Sequence, residues 1–201
     1  MTLKEIVPTV NINYGYMEHM RSERARSGVV HLDFAIGYGT SSLFVDEVRA
    51  CLEQGVKEIS VLLNSPGGAV YESMIFHDIL ASLPKYGAKS TAYVLGVAAS
   101  AAAMIILQGA QRRVAAPNAE FMVHEISLSQ DPFSEIRTST QEDVSKFQKR
   151  LQDKMLGVLA ARSGKTVAFW TKLIARKETW LDAKKAKEYG LIDEIGTFPL
   201  K

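Results

Sequence analysis

The sequence predicts an α/β domain with a largely parallel sheet, and three observations lead there. From Val29 onward, short β-rich runs alternate with stretches whose apolar residues recur every three or four positions. Glycine or proline punctuates the junctions, as at Gly37, Gly55, Pro66, Pro84 and Gly96. The chain has 201 residues, 47% hydrophobic and 23% charged, which is enough to bury one core without disulfide staples. The expected organisation is an N-terminal arm over residues 1–27 and a single domain over 28–201, with a helical handle at 136–163.

The arm lacks regular periodicity and ends in Arg21-Ser22-Glu23-Arg24-Ala25-Arg26, a charged stretch that reads as mobile. Residues 29–34 read as a strand followed by the turn Gly37-Tyr38-Gly39. Leu43, Val45, Val48 and Leu52 then recur at helical spacing, and Gly55 is placed to end that helix. Residues 58–63 form a β-rich run that stops at Asn64-Ser65-Pro66-Gly67-Gly68. Val70, Met74, Ile75, Ile79 and Leu80 make the next helical face, closed by Pro84. Residues 90–95 read as a strand that breaks at Gly96 into the alanine-rich segment 98–107, and two strand-like runs follow at 113–115 and 120–124. Beyond them the chain turns polar and helix-prone. Val144, Phe147, Leu151, Met155 and Leu159 form one narrow stripe, as expected of a helix that projects from a small domain and serves oligomerisation. Asp182 is placed to cap a short helix over 183–188, and Gly190 to end it before a strand at 191–195.

Charge and cysteine usage exclude several function classes. Twenty-four basic and 22 acidic residues leave a net charge of +2 with the signs interspersed, so neither nucleic acid nor an anionic membrane is expected as a partner. The lone Cys51 forbids an internal disulfide and falls within its helix's apolar periodicity; no Cys/His cluster has metal-ligand spacing, and no cofactor is expected. The first ten residues lack the apolar core of a secretory signal, and the longest apolar-rich run, 93–107, is too short to span a bilayer. A cytoplasmic, reducing location is expected.

Three constellations have chemical potential, each with a plain alternative. In Asn64-Ser65-Pro66-Gly67-Gly68 two glycines let backbone amides point into an anion-binding concavity, or the segment is simply a turn. In Gly96-Val97-Ala98-Ala99-Ser100-Ala101 a serine enters the first turn of a helix, where free N–H groups and the helix dipole favour an oxyanion. The alternative is a packed alanine helix whose serine bonds to its own backbone. The pattern also lacks the Gly-x-Ser-x-Gly elbow of the α/β-hydrolases. His124 ends an apolar strand and is either a general base or a satisfied core histidine.

The order and spacing of these segments, followed by Glu188-Tyr-Gly-Leu-Ile-Asp193, resemble the proteolytic subunit of the Clp protease from about residue 29 to 195. Locally, Gly96 to Ala101 followed by Pro117-Asn118-Ala119-Glu120 is most similar to Clp-like proteases of phage type. The resemblance implies a crotonase-like fold of stacked βαβ units with a projecting helical handle. It also implies homo-oligomeric heptameric rings, single or stacked, fed by an AAA+ unfoldase. Ser100 matches the family's nucleophile, His124 its general base, and the amides of Gly68 and Ala101 its oxyanion hole. The third member corresponds to Glu178 in Lys177-Glu178-Thr179-Trp180-Leu181-Asp182-Ala183, one methylene longer than the family's aspartate, with Asp182 as the reserve acid. The glycine-rich stretch usual after the histidine is replaced by Glu125-Ile-Ser-Leu-Ser-Gln-Asp-Pro-Phe133, which bears on ring pairing and groove shape.

The expected function is therefore a serine endopeptidase acting on peptides or unfolded polypeptides through an acyl-enzyme. Two alternatives compete. One is a catalytically silent ring subunit in which the acid no longer orients His124. The other is a crotonase-type acyl-CoA hydratase or isomerase, which would want acidic residues in the pocket and have no use for a serine–histidine pair.

Overall fold

The computed structural model describes residues 23–126 and 141–200. Residues 1–22 of the expected arm and 136–140 of the expected handle lie outside them; residues 23–27 form a helical turn with Ala25 buried.

In chain order the elements are β1 (Val29–Leu32), α1 (Thr40–Glu53), β2 (Glu58–Ser65), α2 (Val70–Ser82) and β3 (Lys89–Ala99). A helix α3 follows, π-helical over Ala102–Ile106 and closing with Leu107–Gly109. Then come β4 (Arg112–Ala115), β5 (Glu120–Val123), α4 (Gln141–Ser163), α5 (Val167–Ile174), β6 (Thr179–Asp182), α6 (Ala183–Glu188) and β7 (Glu194–Ile195). The sheet runs β1-β2-β3-β4-β7 with every pairing parallel. Strands β5 and β6 leave that path: β5 pairs parallel with β3 and antiparallel with β6.

Strand β3 therefore serves two neighbours on the edge away from β2. Residues Thr91 to Val94 pair with β4, and Val97 to Ala99 pair with β5. The strand does not break at Gly96 as the sequence suggests; it passes through an irregularity, with Leu63 opposite Val94 but Ser65 opposite Ala98. The Val97 amide left over by that shift donates to Asn64 Oδ1 at 3.1 Å, and a Cβ on Gly96 would lie 2.5 Å from the same oxygen. Gly96 is needed for this close approach and does not end the strand.

The helices bury most of the face the spacing suggests, with Val48 and Leu80 buried and Leu52, Val70, Met74 and Ile79 packed against the core, but not all of it. In α1 the buried residues are Ser41, Phe44, Val48 and Cys51, while Leu43 is 67% exposed. In α2 they are Ser73, Phe76 and Leu80, with Ile75 exposed. The two helices meet through an aromatic pair, Phe44 and Phe76, with ring centroids 4.7 Å apart. Apart from Gln108, helix α3 is apolar all round and lies in the middle of the core, with all residues from Ala102 to Gly109 buried. Helix α4 buries residues only from Leu151 onward, at Leu151, Met155, Leu156 and Leu159, with Val144 and Phe147 half-buried before them.

The C-terminal segment is tied to the sheet by a buried cation. The Arg113 side chain is 4% exposed, and its guanidinium pairs with Asp193 and donates to Gln108 Oε1 at 2.5 Å and to Gly190 O at 3.0 Å. Burial pushes the Asp193 carboxyl up, but hydrogen bonds and charge from Arg113 outweigh it and hold it below the ordinary carboxylate range. This tie shortens the last strand to Glu194–Ile195, since Leu191 N–H closes α6 onto Ala186 O and the Asp193 carboxylate faces Arg113.

Candidate active site

The forked path of β3 determines where Ser100 stands. With Ala99 opposite Met122, the next residue leaves the sheet beside the end of β5, and the Ser100 N–H donates to Met122 O at 2.8 Å. Ser100 turns sharply there. Its φ is +54°, in the left-handed region that a non-glycine residue enters at a cost of about 1–2 kcal/mol. The turn makes the Ser100 carbonyl the first acceptor of the next helix, receiving Ala103 N–H at 3.1 Å and Met104 N–H at 2.9 Å. The side chain then stands at the helix N-terminus, where the orphan amides lie. Non-glycine residues with positive φ are few among the described residues: Ser100 and Arg176.

His124 is the first residue beyond β5 and is half-buried. Its Nε2 lies 2.7 Å from Ser100 Oγ. The chain after it is clamped to α4: Ile126 N–H donates to Gln152 Oε1 at 2.8 Å, and Gln148 Nε2 donates to Ile126 O at 2.6 Å. The handle helix thus fixes the segment that carries the histidine.

The glycine loop closes the site from a third side. Ile36 N–H donates to Gly67 O and Ala69 N–H donates to Ile36 O, both at 2.8 Å, so Gly68 lies in a parallel bridge to Ile36. In such a bridge the N–H and C=O of the middle residue point to the opposite edge, so the Gly68 amide faces away from Ile36. Among the described residues the amides of Gly68 and Ala101 have no acceptor. Both glycines are required. Gly67 has φ +86°, and a Cβ there would lie 2.5 Å from Ala99 O, 2.9 Å from Ala101 N and 3.0 Å from Ser100 Cβ. A Cβ on Gly68 would lie 2.1 Å from Ile36 O.

The two acid candidates differ. Glu178 directly precedes β6, one residue beyond the last paired position, Val123 opposite Thr179, as His124 is one residue beyond β5. It is exposed, and no carboxylate among the described residues is hydrogen-bonded to His124. Asp182 is four residues further along β6 and accepts from Lys185 N–H at 2.7 Å as the N-cap of α6. His31 is exposed, His77 bonds Asp78 at 2.9 Å, and Cys51 is buried with its thiol pushed up by burial and then by Glu47; His19 lies outside the described residues. The sequence places Asn64 and Ser65 in the glycine-loop constellation without a role of their own and does not single out Ile36, yet all three hold the backbone around that loop. The signal available was Asn64-Ser65 preceding a Pro-Gly-Gly turn, two side chains that hydrogen-bond backbone readily.

The architecture is the crotonase-like fold, and a serine–histidine pair lies at the fork of its sheet. The Clp protease family profile matches residues 18–198, and the chain belongs to that family. ATP-dependent Clp protease proteolytic subunits from two strains of Bacteroides fragilis are each 31% identical to it over 142 residues, 69% of this chain. Those matches span 64% and 60% of the relatives' own lengths. Among solved structures, a point variant of ClpP1 from Listeria monocytogenes superposes with a TM-score of 0.74 at 19% identity, covering 88% of this chain and 95% of that one. Among the described residues no helix is long and apolar enough to cross a membrane, and no cluster of His, Cys, Asp and Glu has the arrangement of a metal site.

Proposed function

We propose that this chain is a serine peptidase of the Clp type that cleaves peptides or unfolded polypeptides within a homo-oligomeric ring, heptameric and single or stacked, served by an AAA+ unfoldase. The observation that carries the reading is Ser100 Oγ at 2.7 Å from His124 Nε2, on a left-handed turn at a helix N-terminus. His124 takes the hydroxyl proton as Ser100 attacks the scissile carbonyl, then returns a proton to the leaving amine. The Gly68 and Ala101 amides receive the oxyanion, and water hydrolyses the acyl-enzyme. Glu178 is the proposed acid, on the strength of its place one residue beyond the last paired position of β6, as His124 is one residue beyond β5.

A second reading, a silent ring subunit, draws on one observation: no carboxylate among the described residues bonds His124. Degradation of a dye-labelled unfolded polypeptide separates the two. The peptidase reading expects turnover by the assembled wild-type chain and none by Ser100→Ala. Absence of turnover in the assembled wild type, with and without an AAA+ unfoldase, would favour the silent subunit.

A further inference from the structure

We infer that Ser65 is a positioning residue for the oxyanion site, acting through the Gly67 residue; this rests on the serine-peptidase reading. Ser65 is the last residue of β2 and is fully buried. Its single hydroxyl does two jobs. It donates to Phe34 O at 2.6 Å and accepts from Gly67 N–H at 3.1 Å. One side chain thus joins the segment after β1 to the glycine loop, using the hydroxyl's one donor and one of its two acceptor lone pairs.

The consequence is set by what Gly67 touches. Its carbonyl is held by Ile36 N–H and its amide by Ser65 Oγ, so both polar groups of that residue are pinned. Its Cα faces the turn at Ser100 so closely that a methyl group there would meet Ala99 O, Ala101 N and Ser100 Cβ within 3.0 Å. The next amide along is that of Gly68. A rotation of the Gly67 residue therefore swings the Gly68 N–H and presses on the turn that holds Ala101 N–H and Ser100. Ser65 holds the Pro66–Gly67 peptide and Ile36 the Gly67–Gly68 peptide that carries the Gly68 N–H, so the serine acts on both proposed oxyanion donors by fixing the Gly67 residue between them.

Removing the hydroxyl leaves the buried Gly67 N–H and the Phe34 carbonyl without the partners they have now. The loop regains a partner for Gly67 N–H only by turning, and a misplacement near 1 Å at a reacting centre lowers rate by about 100-fold. Ser65→Ala is accordingly expected to lower the second-order rate of Ser100 labelling by a fluorophosphonate by about 10- to 100-fold. The midpoint of its pH profile should not move. Ser65→Cys, a weak donor and acceptor of similar shape, should fall between. Val61→Ala, a cavity variant in the same strand, is the control for lost stability alone.

The experiment measures labelling rate against pH for these variants of the full chain, below every melting temperature and in one assembly state. The inference is supported if Ser65→Ala is slowed at least 10-fold at an unchanged pH midpoint, while Val61→Ala labels at the wild-type rate. Labelling of Ser65→Ala within twofold of wild type, or slowing equal to that of Val61→Ala, would overturn it. Should Ser65→Ala fail to fold, Ser65→Cys carries the test, and wild-type labelling in it overturns the inference. No labelling of the wild type itself is a different failure: it removes the peptidase reading and this inference with it.

Discussion

Replacing Gly67 with alanine tests whether the glycine loop abuts the Ser100 turn, and Gly39→Ala is its internal standard. Both glycines have left-handed backbone, with φ of +86° and +82°. An alanine at either position incurs the left-handed penalty, about 1–2 kcal/mol. Gly39 has open space around its missing Cβ, so the penalty is the whole effect there. At Gly67 the new methyl would lie 2.5 Å from Ala99 O and 2.9 Å from Ala101 N, both backbone atoms that cannot swing aside. Forcing such overpacking costs roughly a further 1–3 kcal/mol, so Gly67→Ala should lose about 2–5 kcal/mol against about 1–2 kcal/mol for Gly39→Ala. Urea denaturation of both variants in the same assembly state reads the difference. Fluorophosphonate labelling reads the chemistry, and only Gly67→Ala should slow it, by about 100-fold or more, because the methyl presses on an oxyanion donor. Equal destabilisation by the two alanines, or wild-type labelling in Gly67→Ala, would refute the placement of the loop against Ser100.

Other variants probe separate parts of the account. Asp193→Asn should cost about 2–3 kcal/mol, the lower end for breaking a buried pair because Asp193 is partly exposed while Arg113 is left inside without its counter-charge. Asp193 has a carboxyl held low in the folded state, so its stabilisation is present above the unfolded-state value, about 4, and is lost as pH falls through the lower folded value. The wild type should therefore weaken on acidification below about pH 4, and a denaturation series should find that slope reduced in Asp193→Asn. Glu178→Gln should slow labelling by about 10-fold, short of the roughly 10,000-fold attached to a buried, hydrogen-bonded triad acid because Glu178 is exposed; a wild-type rate in that variant would remove Glu178 from the acid's role. Arg176→Gly should be neutral or stabilising by about 1 kcal/mol, since Arg176 has φ +56° just past α5, where glycine incurs no strain. A clear loss of stability there would mean the arginine side chain contributes more than its backbone costs.

Much of this architecture was legible in the sequence because it rests on local signals. Alternating periods announced a parallel sheet, and Asp182 before an Ala-Lys-Lys run announced the cap it makes on α6. The expected meeting of Ser100 and His124 came from the family resemblance that the motifs carry, and the structure brings them to 2.7 Å. What was not legible depends on contacts distant in the chain. That Leu43 and Ile75 stay exposed while Phe44 meets Phe76, 32 positions away, is a matter of contacts between the helices that the spacing within each does not carry. The passage of β3 through Gly96 needs Asn64 from the neighbouring strand, so a glycine that looks like a stop is a point of close approach. The acid illustrates the same limit: Glu178 lies one residue beyond the last paired position of β6, as His124 does for β5, yet whether the carboxylate reaches the ring depends on loop geometry that spacing does not encode.

The central claim is that Ser100 is a nucleophile activated by His124. Its most direct test is fluorophosphonate labelling of the assembled chain, mapped by mass spectrometry, in wild type, Ser100→Ala and His124→Ala. The account predicts one adduct on Ser100 in the wild type, none in Ser100→Ala, and labelling slowed by about 1,000-fold or more in His124→Ala. An assembled wild type that takes no adduct, or one that labels equally well without His124, would contradict it.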